Sequence, residues 1–323
     1  MSADEPADSR VNPVVRAVLR LFAAPRVRML EDYPKVRRLQ RFLAGTPRRY
    51  RFLDRAILAD DGSREIPVRV FQPREREHGD VLLFFHGGGW VTGDIESYTP
   101  ACAALADLTG RVVLAVDYRL APEHPFPAGL DDCVRVAGVL LREPGLVGLD
   151  DASAITLIGD SAGGNLAAAV SLRLRARGCP MPGRQVLLYP ATWFDHDPGT
   201  SPFESVRLYG TGLRLTALEV EDYMALYQPD PQARGNPLIA PLLAADLSGQ
   251  PATLVVSAEL DLLRDEGEAY AHALRASGNQ VRVERITGAL HGFLTLPRFV
   301  RPVTLACRVI DDFLGAASET SGR

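Results

Sequence analysis

The chain has 323 residues, 46% of them hydrophobic, and a net charge of −4. That is enough to bury a large core in one α/β domain with a small cap. No apolar run approaches the roughly 18 residues of a membrane-spanning helix, and the opening stretch 1–8 is acidic rather than a basic leader, so a cytoplasmic protein is expected. Cys102, Cys133, Cys179 and Cys307 are too scattered for a zinc site or a disulfide framework and read as free thiols. Charge is uneven, because residues 10–55 hold 13 basic and 3 acidic side chains. Such a basic head on an acidic body is ordinarily a solvated helix surface; otherwise it steers anionic substrates or makes weak contact with an acidic partner or a membrane surface.

Val11, Val14, Val15, Val18, Leu19 and Phe22 recur at helical spacing, and Val36, Leu39 and Leu43 do so again after Pro34, which is expected to break the helix. Residues 1–50 therefore read as a helical cap segment. Runs 56–59 and 66–71 flank Asp60-Asp61-Gly62-Ser63 and predict a β-hairpin. The short apolar runs 81–85, 112–116, 155–158, 186–189 and 253–256 suit parallel strands buried on both faces. Val281-Arg282-Val283-Glu284-Arg285-Ile286 alternates instead and suits a strand near the edge. Helical stretches at 101–108, 130–141, 165–177, 264–276 and 303–314 fall between these runs, which predicts a doubly wound, mostly parallel sheet. Residues 191–249, rich in Pro, Gly and aromatics and helical around 217–227, read as a cap insertion that divides the core into 51–190 and 250–323.

The most informative stretch is Gly159-Asp160-Ser161-Ala162-Gly163, which joins the run 155–158 to a helix-forming segment. A serine at such an apex takes a strained backbone that only flanking glycines leave room for, and its hydroxyl stands above the sheet edge. To act as a nucleophile it needs a base, and the base needs a partner that fixes its tautomer. Of the six histidines, His291 lies in a Gly-rich turn after the final strand, where a loop can return over the sheet edge. His78, His196 and His272 read as surface residues, and His86 as a brace for its own loop. After the strand ending near Val256, Asp261 is the acid of choice. Glu259 sits close to the strand, while Asp265 and Glu266 look like first-turn helix residues.

Acyl transfer also needs backbone donors for the developing oxyanion. His86-Gly87-Gly88-Gly89-Trp90 follows the run 81–85 with no side chains to block close approach, and two of its glycines with the Ala162 N–H would form the hole. No G-x-G-x-x-G or Walker pattern accompanies it, so nucleotide binding is not indicated. Trp90 and Trp193, with Phe194, Phe203 and Tyr209, are candidates to wall an acyl or alcohol pocket, although core packing would explain them equally well.

Four separated motifs together carry a resemblance: HGGGW at 86–90, DYRLAPEHPFPAGLDD at 117–132, GDSAGGN at 159–165, and Asp261 in AELDLLRDEG with His291 before Gly292-Phe293. From residue 68 onward the chain resembles the hormone-sensitive-lipase-like, or bacterial type IV, carboxylesterases of the α/β-hydrolase superfamily. The resemblance implies an α/β-hydrolase fold with a mostly parallel eight-stranded sheet and a helical cap. It implies Ser161 as nucleophile, His291 as base, Asp261 as its partner, and Gly87, Gly88, Gly89 and Ala162 as oxyanion donors. It also implies hydrolysis of short- to medium-chain carboxylic esters without metal or organic cofactor. Asp117, Arg119, Glu123 and His124 would be structural. Leu262, where this family usually has proline, and Ala289-Leu290 before the histidine depart from the pattern without removing a reacting group.

The expected partner is a small-molecule ester, with no nucleic acid and no transmembrane segment; a homodimer stays open. Two rival readings remain, a dedicated deacetylase or cyclising enzyme of secondary metabolism on the same fold, and a ligand-binding relative that has lost catalysis.

Overall fold

The computed structural model describes residues 28–45 and 50–316. The helix expected over 11–22 lies outside the described residues. In chain order the elements are α1 (Met29–Ala44), β1 (Phe52–Leu58), β2 (Glu65–Phe71), β3 (Val81–Phe85), α2 (Thr99–Thr109), β4 (Val112–Val116), α3 (Ala128–Arg142), β5 (Ile155–Asp160) and α4 (Ala162–Ala176). There follow β6 (Arg184–Leu188), α5 (Glu204–Tyr209), α6 (Ala217–Tyr227), β7 (Ala252–Leu260), α7 (Arg264–Ala276), β8 (Val281–Leu290) and α8 (Arg301–Gly315). The strands form one eight-stranded sheet in the order β1-β2-β4-β3-β5-β6-β7-β8. β1 and β2 pair antiparallel, as do β2 and β4, and every later pairing is parallel.

The apolar strands are buried on both faces because alternate residues serve two cores. Val81, Leu83 and Phe85 of β3 join the core beneath α3, α4 and α7, while Leu82 and Phe84 join the one beneath α2 and α8. β8 is the edge strand and is only partly buried, as its alternation predicts. It runs on to Leu290, four residues past the apolar pattern, and so delivers His291 directly from its end.

Pro34 does not break the first helix but lies inside α1. Its missing N–H and ring disturb the bond to Leu30, a residue on the exposed side, where water can satisfy the freed carbonyl. The cap insertion contains α6 where expected, opened by a Thr216/Glu219 capping box, and also the short α5, which the sequence pattern did not single out.

α1 packs on α6 and is tied to the core by charge. Arg37 donates to both Glu123 oxygens at 2.8 and 2.9 Å and to the carbonyls of Val91 and Ala121 at 2.6 and 2.8 Å. Arg41 pairs with Asp94, and Arg28 lies 3.5 Å from Asp222 of α6. The Arg37 guanidinium holds the Glu123 carboxyl below its ordinary value. Four basic side chains of the head, Arg28, Lys35, Arg37 and Arg41, thus find acidic partners within this chain. Removing Arg37 leaves two carbonyls of buried residues without a donor, so Arg37→Met is expected to cost about 2 kcal/mol, read as a lower urea midpoint. An unchanged midpoint would show that α1 docks without this side chain.

Candidate active site

β5 ends at Asp160 and α4 begins at Ala162, so Ser161 alone makes the turn, at φ 55° and ψ −120°. This region is costly for a residue with a Cβ, on the order of 1–3 kcal/mol. Two close approaches hold it. A Cβ on Gly159 would come within 2.2 Å of the Gly163 carbonyl oxygen, and one on Gly163 within 2.0 Å of the Phe85 oxygen. Ser161 N–H donates to Leu188 O at 2.8 Å, and its own carbonyl accepts from Asn165 N at 3.0 Å. The buried Asn165 amide donates in turn to Ala191 O and Ile239 O at 2.8 and 2.7 Å, which fixes the start of the cap insertion beside the serine.

Ser161 Oγ lies 2.8 Å from His291 Nε2, and His291 Nδ1 lies 2.7 Å from Asp261 Oδ2. With an ionised Asp261 accepting from Nδ1–H, the neutral imidazole offers Nε2 to the serine hydroxyl. Asp261 is 2% exposed and its Oδ1 accepts from Leu263 N at 3.1 Å. The residue after it being leucine rather than proline therefore leaves the acid loop closed. The competing carboxylates are engaged elsewhere: Glu259 takes the Gly288 N–H at 2.6 Å, and Asp265 takes the Ser205 N–H and pairs with Arg264.

Gly88 and Gly89 stand at φ 114° and 60° with Trp90 at 59°, which curls the loop after β3 over Ser161. A Cβ on Gly89 would overlap the Tyr223 ring of α6 at 2.3 Å. The N–H groups of Gly88, Gly89 and Ala162 find no acceptor among the described residues. Gly87 differs from the expectation that it is a donor to an oxyanion. Its N–H is already given to Asp160 Oδ1 at 2.8 Å, so it anchors the loop instead.

Asp160 is 1% exposed, and burial pushes its carboxyl up to about 6 against the bonds it accepts from Gly87 N–H and the Tyr98 hydroxyl. His86 stacks on Tyr118 at 4.3 Å and its Nδ1 lies 2.8 Å from Gly87 O, bracing the same loop. Of the segment after β4, Asp117 accepts from Ile95 N–H, Arg119 pairs with Asp132 and Glu123 with Arg37.

A cavity of about 910 Å³ opens over Ser161 and His291, with Trp90, Tyr98 and Tyr223 in its wall. Trp90 stacks on Tyr227 at 4.4 Å. Trp193 does not reach the cavity, contrary to the expectation for it. Its backbone N–H donates to the buried Glu266 at 3.1 Å, and its ring lies against Phe194 and Phe203, with centroids 5.0 and 5.8 Å away. At this corner the expectation for His196 is corrected, while Glu266 lies in the first turn of α7 as expected and has a further role there. His196 is fully buried rather than at the surface, and Glu266 is a buried anchor, its Oε2 2.8 Å from His196 Nε2 and its Oε1 accepting from Thr192 N–H at 2.7 Å. Burial lowers the proton affinity of His196, but the Glu266 carboxylate outweighs it and holds the imidazole above its ordinary value. Tyr98, Tyr223, Arg74, Arg214 and Arg298 are among the cavity residues that sequence reasoning missed.

A family profile described as alpha/beta hydrolase fold matches residues 82–295. The chain is 38% identical over 242 residues to an arylesterase of Saccharolobus solfataricus, covering 75% of this chain and 77% of the relative. It belongs to the hormone-sensitive-lipase-like branch of the α/β hydrolases. An ethyl acetate hydrolase of Pseudomonas putida is 35% identical over 247 residues, 75% of this chain and 76% of that one. A hyperthermophilic esterase from Pyrobaculum calidifontis superposes with a TM-score of 0.84 at 34% identity, over 97% of this chain and 99% of the other. This α/β hydrolase is accordingly a carboxylic ester hydrolase. No helix among its described residues is long and apolar enough to cross a membrane.

Because Asp160 positions the glycine loop and titrates near 6, protonation loosens that loop as the pH falls. Asp160→Asn is expected to lower kcat about tenfold, less than the loss of a whole oxyanion donor, with KM little changed. In the pH profile of kcat, the wild type is expected to lose activity as the pH falls through about 6, and Asp160→Asn to lack that component. An acid limb identical in both proteins would remove Asp160 from the catalytic geometry.

Proposed function

We propose that the chain hydrolyses short- to medium-chain carboxylic esters through an acyl-enzyme on Ser161. The observation that carries this is the continuous run of short contacts from Ser161 Oγ through His291 to the buried Asp261, facing three N–H groups without acceptors. His291 Nε2 takes the hydroxyl proton as Ser161 Oγ attacks the ester carbonyl. The tetrahedral oxyanion accepts from the N–H groups of Gly88, Gly89 and Ala162. His291 then gives its proton to the departing alcohol. Water enters, loses a proton to His291 and attacks the acyl-enzyme; as the bond to Ser161 Oγ breaks, His291 returns that proton to Oγ and the carboxylic acid leaves with Ser161 restored. Asp261 holds the imidazole in the Nδ1–H tautomer and stabilises it when charged.

The preference for short to medium acyl groups rests on the Tyr223 ring, which crowds the glycine loop, and on relatives whose names are arylesterase and ethyl acetate hydrolase. The test is hydrolysis of 4-nitrophenyl esters from acetate to laurate. Activity is expected to peak at or below hexanoate and fall toward laurate. Ser161→Ala is expected to lower kcat by at least about 10⁴-fold while the circular dichroism spectrum is unchanged. Activity retained by a clean preparation of that variant would overturn the assignment, and a rise toward laurate would overturn the chain-length preference.

A further inference from the structure

The wall of the catalytic cavity carries three arginines, Arg74, Arg214 and Arg298, and two of them share a carboxylate. Asp107 sits between Arg74 and Arg298, at 3.2 and 3.4 Å. Of the other acidic side chains in the lining, Asp160 accepts from Gly87 N–H and the Tyr98 hydroxyl, and Glu219 is engaged by its own helix cap, its Oε2 accepting from Thr216 N and Thr216 Oγ1, both at 2.8 Å. Arg214 alone among the cationic side chains of the wall has no carboxylate partner among the described residues. Its Nη2 donates to Thr295 Oγ1 at 2.8 Å, and its guanidinium lies against Gly292, where an added Cβ would stand 3.5 Å from Cζ. That is one residue from His291. Leu213 and Leu215 on either side pack on the core and fix the backbone that carries Arg214.

A guanidinium held by one hydroxyl keeps most of its donors free in a planar fork that matches a carboxylate. Held beside the general base, it meets a group only a few bonds from the reacting carbonyl. We propose that Arg214 makes an anion subsite of this cavity and that the favoured substrates are esters carrying a carboxylate. This rests on the esterase reading above. The carboxylate takes no part in bond making: water is still added across the ester bond, and the charge only orients the substrate. It can sit on the acyl part or on the alcohol part, and the chemistry that Arg214 recognises is the same.

The test compares each anionic ester with a neutral isostere. On the acyl side these are 4-nitrophenyl hemisuccinate and its methyl ester, followed by nitrophenolate release. On the alcohol side they are 4-acetoxybenzoate and 4-acetoxybenzamide. For at least one pair, kcat/KM of the wild type is expected to favour the anion by about tenfold, mainly through KM, and the pair shows which side is read. The ratio should shrink with added salt, because the site is open to water. Arg214→Gln should bring the ratio to about one, and Arg214→Lys should keep part of it, since a lysine retains the charge without the fork. A role confined to holding Thr295 would instead lower both members of a pair together in Arg214→Gln, with the ratio unchanged, and that overturns the proposal. Neutral esters hydrolysed with a wild-type ratio of one for both pairs would overturn the subsite and leave the esterase reading standing. Failure to hydrolyse any of the four would overturn both.

Discussion

The structure depends on one backbone conformation, the left-handed turn at Ser161. Its cost is met by contacts that come from four directions. The β6 carbonyl of Leu188 takes its N–H, α4 and the cap insertion bond its carbonyl, and Gly159 and Gly163 allow β5, α4 and the end of β3 to close to distances no side chain would permit. Once the turn is made, the direction of Oγ and of the Ala162 N–H follows from it. Each surrounding loop need only reach that fixed point, which is how backbone strain at a site is converted into preorganisation.

Carboxylates that accept backbone N–H groups bring the loops there. Asp160, within the turn, takes the N–H of Gly87 and so ties the glycine loop to Ser161. Glu259, from the end of β7, takes the N–H of Gly288 and sets the approach to His291. Glu266, in the first turn of α7, takes the N–H groups of Thr192 and Trp193 and binds His196, fixing the cap insertion to the helix that begins just after the acid loop. An ionised carboxylate accepting backbone N–H groups gives strong, directed bonds. The same residue type serves once as the partner of the base and three times as a clamp on the chain.

The sheet was legible because strands buried on both faces leave uninterrupted apolar runs, and the turn was legible because glycine is required where atoms come this close. The order Ser161, Asp261, His291 placed the three side chains at the ends of β5, β7 and β8 without any knowledge of distance. What could not be read was which way a group faces. Gly87 looks like its neighbours in sequence, but its N–H is turned to a carboxylate that precedes the serine by one residue. Trp193 and Tyr223 are both aromatics of the cap, and only in the fold does Glu266 hold the backbone of the one, its ring against Phe194 and Phe203, while the other meets the cavity. His196 sits in a polar stretch whose burial depends on a partner seventy positions away. Pro34 keeps a helical pattern on both sides because the bond it forfeits lies toward solvent. The basic head read as a solvated helix surface, since the acidic partners of Arg41, Arg37 and Arg28, namely Asp94, Glu123 and Asp222, are distant in sequence.

The central claim is that Ser161, activated by His291, is the group that takes up the acyl moiety. The most direct measurement is incubation with the serine-reactive organophosphate paraoxon, followed by intact-mass analysis and peptide mapping. The account predicts a single diethylphosphoryl adduct per chain, on Ser161, formed in step with loss of ester hydrolysis and slowed strongly in His291→Ala. Labelling of another residue, or complete loss of hydrolysis with Ser161 unmodified, would contradict it.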